Sequence, residues 1–101
     1  MAAVVTDNRD RDRFEIHLGD ELVGIAQYRL RDDTIAFTHA EVSDEHEGQG
    51  LGSTLAGESL AAARKAGLAV LPACPFFADY LQRHPEHVDL VPAERREEFG
   101  L

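Results

Sequence analysis

The chain has 101 residues, 44% of them apolar, which is enough for one folded domain with a single modest core and too little for a second. Its formal net charge of −9, from 19 Asp and Glu against 10 Lys and Arg, argues against duplex nucleic acid, which needs clustered cations, and would draw a cationic partner from a distance. One cysteine, Cys74, excludes an intrachain disulfide, and neither a secretory leader nor an apolar run of about 20 residues is present, so the expectation is a cytoplasmic protein with no membrane partner.

Residues 1–12 close on Asn8-Arg9-Asp10-Arg11-Asp12, a mixed-charge run that predicts an arm or a fraying strand lead-in. Phe14, Ile16 and Leu18 then alternate with Arg13, Glu15 and His17, the pattern of a half-buried strand. Gly19-Asp20 suits a tight hairpin turn. Leu22 to Leu30 reads as a second strand, Asp32-Asp33 as another turn, and Thr34 to Val42 as a third strand. Simple alternation puts Ile35, Phe37, His39 and Glu41 on one face of that strand.

A polar stretch and a glycine loop follow. Ser53 to Ala66 is rich in Ala, Leu, Glu and Lys and predicts a helix, with Gly67 at its C′ position. Leu68 to Leu71 is a short apolar strand that Pro72 ends. Pro75 opens a second helix through Phe76, Phe77, Tyr80 and Leu81, which stops near His84-Pro85. Val88 to Val91 suggests a last short strand, and Arg95-Arg96-Glu97-Glu98 a solvated tail. The expected fold class is therefore mixed α/β (α+β). An antiparallel three-stranded meander leads into a helix, a parallel strand and a second helix, all in one domain over 13–91, between an arm at 1–12 and a tail at 92–101.

The glycine loop is the first feature with chemistry. Gly48-Gln49-Gly50-Leu51-Gly52 sets glycines at alternate positions just before a helix. Such a loop lets backbone approach an anion, and the free N–H groups of the first helical turn favour its charge. A diphosphate fits, and so does a loop that merely turns sharply. A P-loop would need a lysine before Ser53, and a dinucleotide-binding domain would need a parallel start, so neither applies.

Val42, a polar loop, and then Glu47-Gly48-Gln49-Gly50-Leu51-Gly52 resembles the acetyl-CoA motif of the Gcn5-related N-acetyltransferases. The family pattern is Gln/Arg-x-x-Gly-x-Gly/Ala. Gly50 and Gly52 match it, while Glu47 stands where Gln or Arg is usual. A second segment, Cys74-Pro75-Phe76 with Tyr80 on the following helix and then His84-Pro85-Glu86, is similar to the short, single-domain branch of that superfamily, which lacks the N-terminal helices of larger members. The resemblance covers roughly residues 13–91. It implies a compact acetyltransferase fold and a cofactor site at Val42, Glu47, Gly48, Gln49, Gly50, Leu51, Gly52, Ser53, Cys74 and Phe77 for acetyl-CoA (coenzyme A). The implied activity is acetyl transfer to an amine of a small molecule or protein, with a non-catalytic CoA-binding module as the alternative. It also implies that the backbone N–H of Val42 meets the acyl or pantetheine carbonyl. The expected assembly is a monomer or weak homodimer.

Four side chains are catalytic candidates. Cys74, just before a helix, can carry an acetyl group, protonate the leaving thiolate, or simply pack. His39 and Glu41 are candidate general bases, against the reading of a sheet histidine and a surface carboxylate. Tyr80 is a general acid by resemblance, or a packing residue with its hydroxyl at the rim. Phe77 either lines the pantetheine channel or fills the core. His46 and His87 read as exposed. The five histidines lack a metal-ligand spacing, so no metal site is expected.

Overall fold

The structure is a computed structural model that describes residues 2–43 and 50–101. Five strands form one sheet in chain order: β1 (Ala3–Asn8), β2 (Arg13–Leu18), β3 (Glu21–Arg31), β4 (Thr34–Val42) and β5 (Ala69–Pro72). The first four pair antiparallel, and β5 runs parallel to β4. Helix α1 (Leu51–Lys65) makes the crossover between them, and α2 (Pro75–Arg83) follows β5.

The turns follow from their residues. Gly19 takes φ 59° in the β2–β3 hairpin, and Asp32 takes φ 55° between β3 and β4, where a short polar side chain tolerates the left-handed region. Helix α1 ends in a Schellman motif. The Leu68 N–H donates to the Ala63 carbonyl at 2.9 Å and the Gly67 N–H to the Arg64 carbonyl at 3.1 Å. Leu68 then packs on the core, which aims the chain into β5.

Both helices lie on one face of the sheet. Leu51, Leu55, Ala56, Leu60 and Ala63 of α1 share a single core with Phe77, Tyr80 and Leu81 of α2 and with Phe14, Ile16, Ala26, Tyr28, Ile35 and Phe37 of the strands. Phe37 stacks on Phe77 with centroids 4.1 Å apart and planes 9° from parallel, so α2 is seated over β4. The Tyr28 hydroxyl donates to Asp7 at 2.5 Å, tying β3 to β1 across β2. Burial, then the Asp7 carboxylate, raises the Tyr28 phenol well above its ordinary value.

Two terminal segments differ from the sequence expectation. Residues 3–8 are not an arm but an edge strand, with Ala3 and Val5 half-buried against the core. Alternation there is only a few residues long, and the charged run after it forms a single 3-10 turn, Arg9–Arg11. Val88–Val91 is not a strand: Pro85–Leu90 is 3-10 helix. Pro85 occupies its first turn, where its fixed φ suits a helical start. Arg64 of α1 grips Asp89 with two hydrogen bonds of 2.9 and 2.8 Å, holding that segment beside the helix. Ala93–Arg95 and Glu97–Phe99 form short 3-10 turns, and Phe99 and Leu101 pack on the core, so the C-terminus is less solvated than its charges suggest.

Candidate active site

The site begins with an irregularity in β4. Gln27 pairs with His39, but the next residue, Tyr28, pairs with Phe37, which leaves Thr38 as the extra residue of a bulge. Because side chains alternate along a strand, one inserted residue reverses which face each later residue points to. Ile35 and Phe37 point to the helices and are buried. After Thr38, Ala40 and Val42 take over the helix side. His39 and Glu41 therefore point to the opposite, helix-free face, with side chains 54% and 66% exposed. The expectation that they share a face with Phe37 is overturned, because the alternation it used skips no residue.

At the same place β4 loses its parallel neighbour. The β4–β5 ladder ends at the pair Phe37 and Pro72, and β4 runs on for five residues to Val42. Pro72 has no N–H with which to extend the ladder. The Ser43 N–H donates to the Val23 carbonyl at 2.7 Å. In an antiparallel pair, hydrogen-bonded and non-hydrogen-bonded residues alternate. Ser43 is of the first kind, so Val42 and Ala40, which face Gly24 and Ala26, are of the second. Their N–H and C=O groups turn away from β3, toward the edge that β5 has left. Among the described residues, a strip of backbone without a ladder partner, about 13 Å long, thus leads from Thr38 to Val42.

The strip points toward the start of α1. Gly50 is the N-cap residue with φ 72°, and among the described residues no side chain caps the helix. The first helical bond is Thr54 N–H to Gly50 C=O at 3.1 Å, which leaves the N–H groups of Leu51, Gly52 and Ser53 without an intrahelical acceptor. The first turn carries no acidic residue, and among the described residues, chain neighbours aside, a Cβ built on Gly50 would meet nothing within 4 Å. Three aligned donors beside open space suit a diphosphate. Gly52 is needed for another reason. A Cβ there would lie 3.1 Å from Phe76 Cζ and 3.8 Å from Val42 Cγ2, so it lets α1 close on α2 and β4. Leu51 buries its side chain in the core and anchors the turn, while Ser53 is exposed. Glu47, Gly48 and Gln49 lie outside the described residues, as does His46.

The helix side of the strip is formed by the start of α2. Cys74 is its N-cap residue, 6% exposed, and belongs to the core cluster; its thiol caps no N–H. Phe77 is fully buried against Phe37, so it supports the floor rather than lining a channel. Its neighbour Phe76, which drew no site role from the sequence, is half-buried and lies against Gly52. The signal for it was the small residue at position 52, which needs a large partner.

Tyr80 lies between the helices at 8% exposure, with its hydroxyl against Gly57 of α1, where a Cβ would stand 3.1 Å away. Burial first, then Glu86, raises its phenol above the ordinary value, so it stays protonated at neutral pH. His84 stacks on it at 4.1 Å and His87 at 6.2 Å. His87 is half-buried, not exposed, and its Nδ1 has no hydrogen-bond partner among the described residues.

On the helix-free face the His39 ring meets Glu41, Nε2 to Oε2 at 3.3 Å. Farther across, Glu15 accepts hydrogen bonds from Arg13 at 2.8 Å and Asn8 at 3.0 Å. The bonded Arg13 guanidinium holds its carboxyl below the usual range against the opposing effect of burial. Among the described residues no group of three or more His, Cys, Asp or Glu is arranged to hold a metal ion, and no helix is long and apolar enough to cross a membrane.

Comparison with known proteins agrees with this geometry. Residues 13–90 match the family model for the GCN5-related N-acetyl-transferases. The chain is similar in structure to a GCN5-like protein from Staphylococcus aureus, provisionally assigned as an N-acetyltransferase and solved in solution by NMR. The TM-score is 0.68 at 25% identity, over 88% of this chain and 87% of that one. No curated protein matches the chain in sequence. A bulged, half-unpaired β4 running toward an uncapped helix, together with a family match over most of the chain, leads to one conclusion: the chain belongs to the GCN5-related N-acetyltransferases, and its activity is that of an acyltransferase.

Proposed function

We propose that the protein transfers the acetyl group of acetyl-CoA to an amine. The observation that carries this reading is the free edge of β4, with the Val42 and Ala40 backbone groups turned outward and leading to the bare first turn of α1. That edge offers hydrogen bonds to an extended chain carrying amides. The α1 turn offers donors to an anion at the end of that chain.

Bound acetyl-CoA supplies an acyl carbon activated by its bond to sulfur. The protein does the rest with its own groups. The Leu51, Gly52 and Ser53 N–H groups would hold the cofactor's diphosphate. The Val42 N–H is a donor for an acyl or pantetheine carbonyl. His39 takes the proton of the attacking amine, and Glu41 fixes its ring by accepting from Nε2. On the opposite side of the strip, Cys74 and Tyr80 each hold a proton that can return to the departing sulfur.

The test is a thermal melt with CoA and with acetyl-CoA, followed by an amine panel. At a concentration a hundred times its Kd, a ligand stabilises the native state by about 2.7 kcal/mol, which in a chain of this size raises Tm by roughly 10–20 °C. The expected result is that shift together with acetylated amine. A shift without transfer leaves a CoA-binding module, and no shift removes the reading. Mass spectrometry after incubation with acetyl-CoA alone decides whether Cys74 carries the acetyl group.

A further inference from the structure

The sheet ends, on the side away from the acyl-donor site, at β1, and among the described residues no strand pairs with its outer side. Its ladder with β2 keeps one register over all six residues, without a bulge. It carries no proline and no lysine, two residues that keep edge strands from pairing. Val4 is 54% exposed, above the 42% of Leu22 and the 47% of Leu30.

The direction of its backbone groups follows from the strands behind it. The Tyr28 N–H donates to the Asp12 carbonyl at 2.9 Å, so Tyr28 and, two residues back, Ala26 turn their groups to β2. Ala26 pairs with Phe14. Phe14 and Ile16 are therefore bonded to β3, which leaves Arg13, Glu15 and His17 to bond β1. Their partners are Asn8, Thr6 and Val4. By the same alternation Ala3, Val5 and Asp7 turn their N–H and C=O groups outward, where no described strand receives them.

These outward groups complement themselves. A second copy, related by a two-fold axis through Val5 and normal to the sheet, lays its β1 antiparallel to the first. Val5 then faces Val5 of the second copy and Ala3 faces its Asp7, so every outward group finds a partner. Val4 falls opposite Thr6 of the second copy in a non-hydrogen-bonded pair, the kind that brings side chains closest, and its exposed surface is covered. Charge selects this register. Asp7, the one charged residue of the strand, is turned to the helix side and engaged by the Tyr28 hydroxyl and by Arg9. It faces Ala3, about 13 Å along the strand from Asp7 of the second copy. A two-residue slip one way brings the two carboxylates to about 7 Å, and a slip the other way carries Asp7 past Ala3.

We propose that β1 is a docking edge for a second copy of this chain, joined antiparallel about Val5 into one continuous sheet. Six residues a side falls well short of the roughly 20–30 of a standard interface, so the dimer is weak and depends on concentration. The net charge of −9 on each copy opposes it, and salt relieves that repulsion. β4 lies three strands in from β1, so the two acyl-donor sites are roughly 34 Å apart and each works by itself. The dimer therefore stands or falls apart from the transferase reading.

The test is sedimentation velocity on the full chain from roughly 10 μM to 1 mM, the range of a weak contact, with a thermal melt of each variant to confirm its fold. The chain is expected to pass from monomer to dimer, to stop there, and to associate several-fold more tightly at high salt. Val4→Lys, at the exposed edge position, weakens the dimer by about tenfold or more. Leu22→Lys makes the same charge change on β3, away from the edge, and leaves the dimer intact. Val5→Pro deletes an outward N–H that bonds nothing within the chain, and weakens the dimer as Val4→Lys does. In amide NMR, raising the concentration moves the Ala3, Val5 and Asp7 N–H signals most, because those of Val4 and Thr6 are already bonded to β2. A sample mixing labelled and unlabelled protein shows the α-proton of Val4 in one copy close to that of Thr6 in the other. A chain that stays monomeric to about 1 mM overturns the proposal. So does a dimer that Val4→Lys leaves untouched or Leu22→Lys weakens equally, and so do amide shifts centred away from β1. Growth beyond the dimer overturns it as well, since it assigns the edge to a head-to-tail contact.

Discussion

The two halves of β4 are one strand in sequence and two environments in structure. Thr34 to Phe37 is paired on both edges, by β3 and β5, and puts Ile35 and Phe37 into the core. Thr38 to Val42 is paired on β3 only and turns His39 and Glu41 to the face without helices. One inserted residue separates them. The first half fixes the fold and the second carries polar backbone and titratable side chains where ligands can reach them. The lesson is that a bulge at the end of a core strand opens a site without weakening the core that positions it.

The comparison predicts a sharp contrast in stability. Phe37→Ala should cost about 3–5 kcal/mol in denaturant unfolding, since Phe37 has no exposure and stacks on Phe77. Thr38→Ala, one residue on and exposed, should stay within about 0.5 kcal/mol. Similar losses at both positions would erase the distinction.

Activity should divide the other way. His39→Ala should lower kcat by about a hundredfold or more while leaving Tm and the CoA-induced shift in place. An unchanged kcat would remove His39 as the base and return it to the role of an exposed sheet histidine.

Next come the two glycines at the start of α1, which the sequence motif treats alike and the structure does not. Gly52→Ala should cost about 1–3 kcal/mol, because its Cβ meets Phe76 at 3.1 Å, and the added change Phe76→Leu should recover part of it. Gly50→Asn should fold nearly as well, since asparagine tolerates φ near 72°. Its side chain would occupy the open space beside the α1 donors and weaken CoA by roughly tenfold. If both variants acted only on stability, the anion cradle would have no support.

The smallest expected effect lies on the helix-free face. The native pKa of Glu15 is lowered by Arg13, so its contribution is complete above the unfolded value of about 4.3 and is lost as pH falls through the lower native value. Glu15→Gln should therefore be less stable than wild type at neutral pH and lose less stability on acidification. Parallel acid profiles for the two proteins would show that the Arg13 pair contributes nothing.

Much of the fold was legible because the signals were local. Alternation marked β2 and β3, Gly67 marked the end of α1, and Pro75 the start of α2. What could not be read depends on partners distant in sequence. Nothing in Thr34–Val42 marks Thr38 as the bulge, because the register is set by β3 across the ladder. The β1 strand is stabilised by β2 and by the Asp7–Tyr28 hydrogen bond, which no window of six residues reveals. Cys74, Val42 and Gly50 were marked as candidate site residues by their resemblance to the family motif. Phe76 and the reversed face of His39 were not, since both follow from how elements meet. Phe77 was ambiguous for the same reason, and its stack on Phe37 resolves it as core.

The proposed grip of the α1 turn and the free β4 edge on coenzyme A is tested most directly by amide NMR on the labelled protein with CoA added. Perturbations should concentrate at Ala40, Val42 and Leu51 to Ser53, and Gly50→Asn should diminish them. Perturbations confined to the C-terminal side, around Leu81, Val88 and Leu101, or none at any residue, would contradict the account.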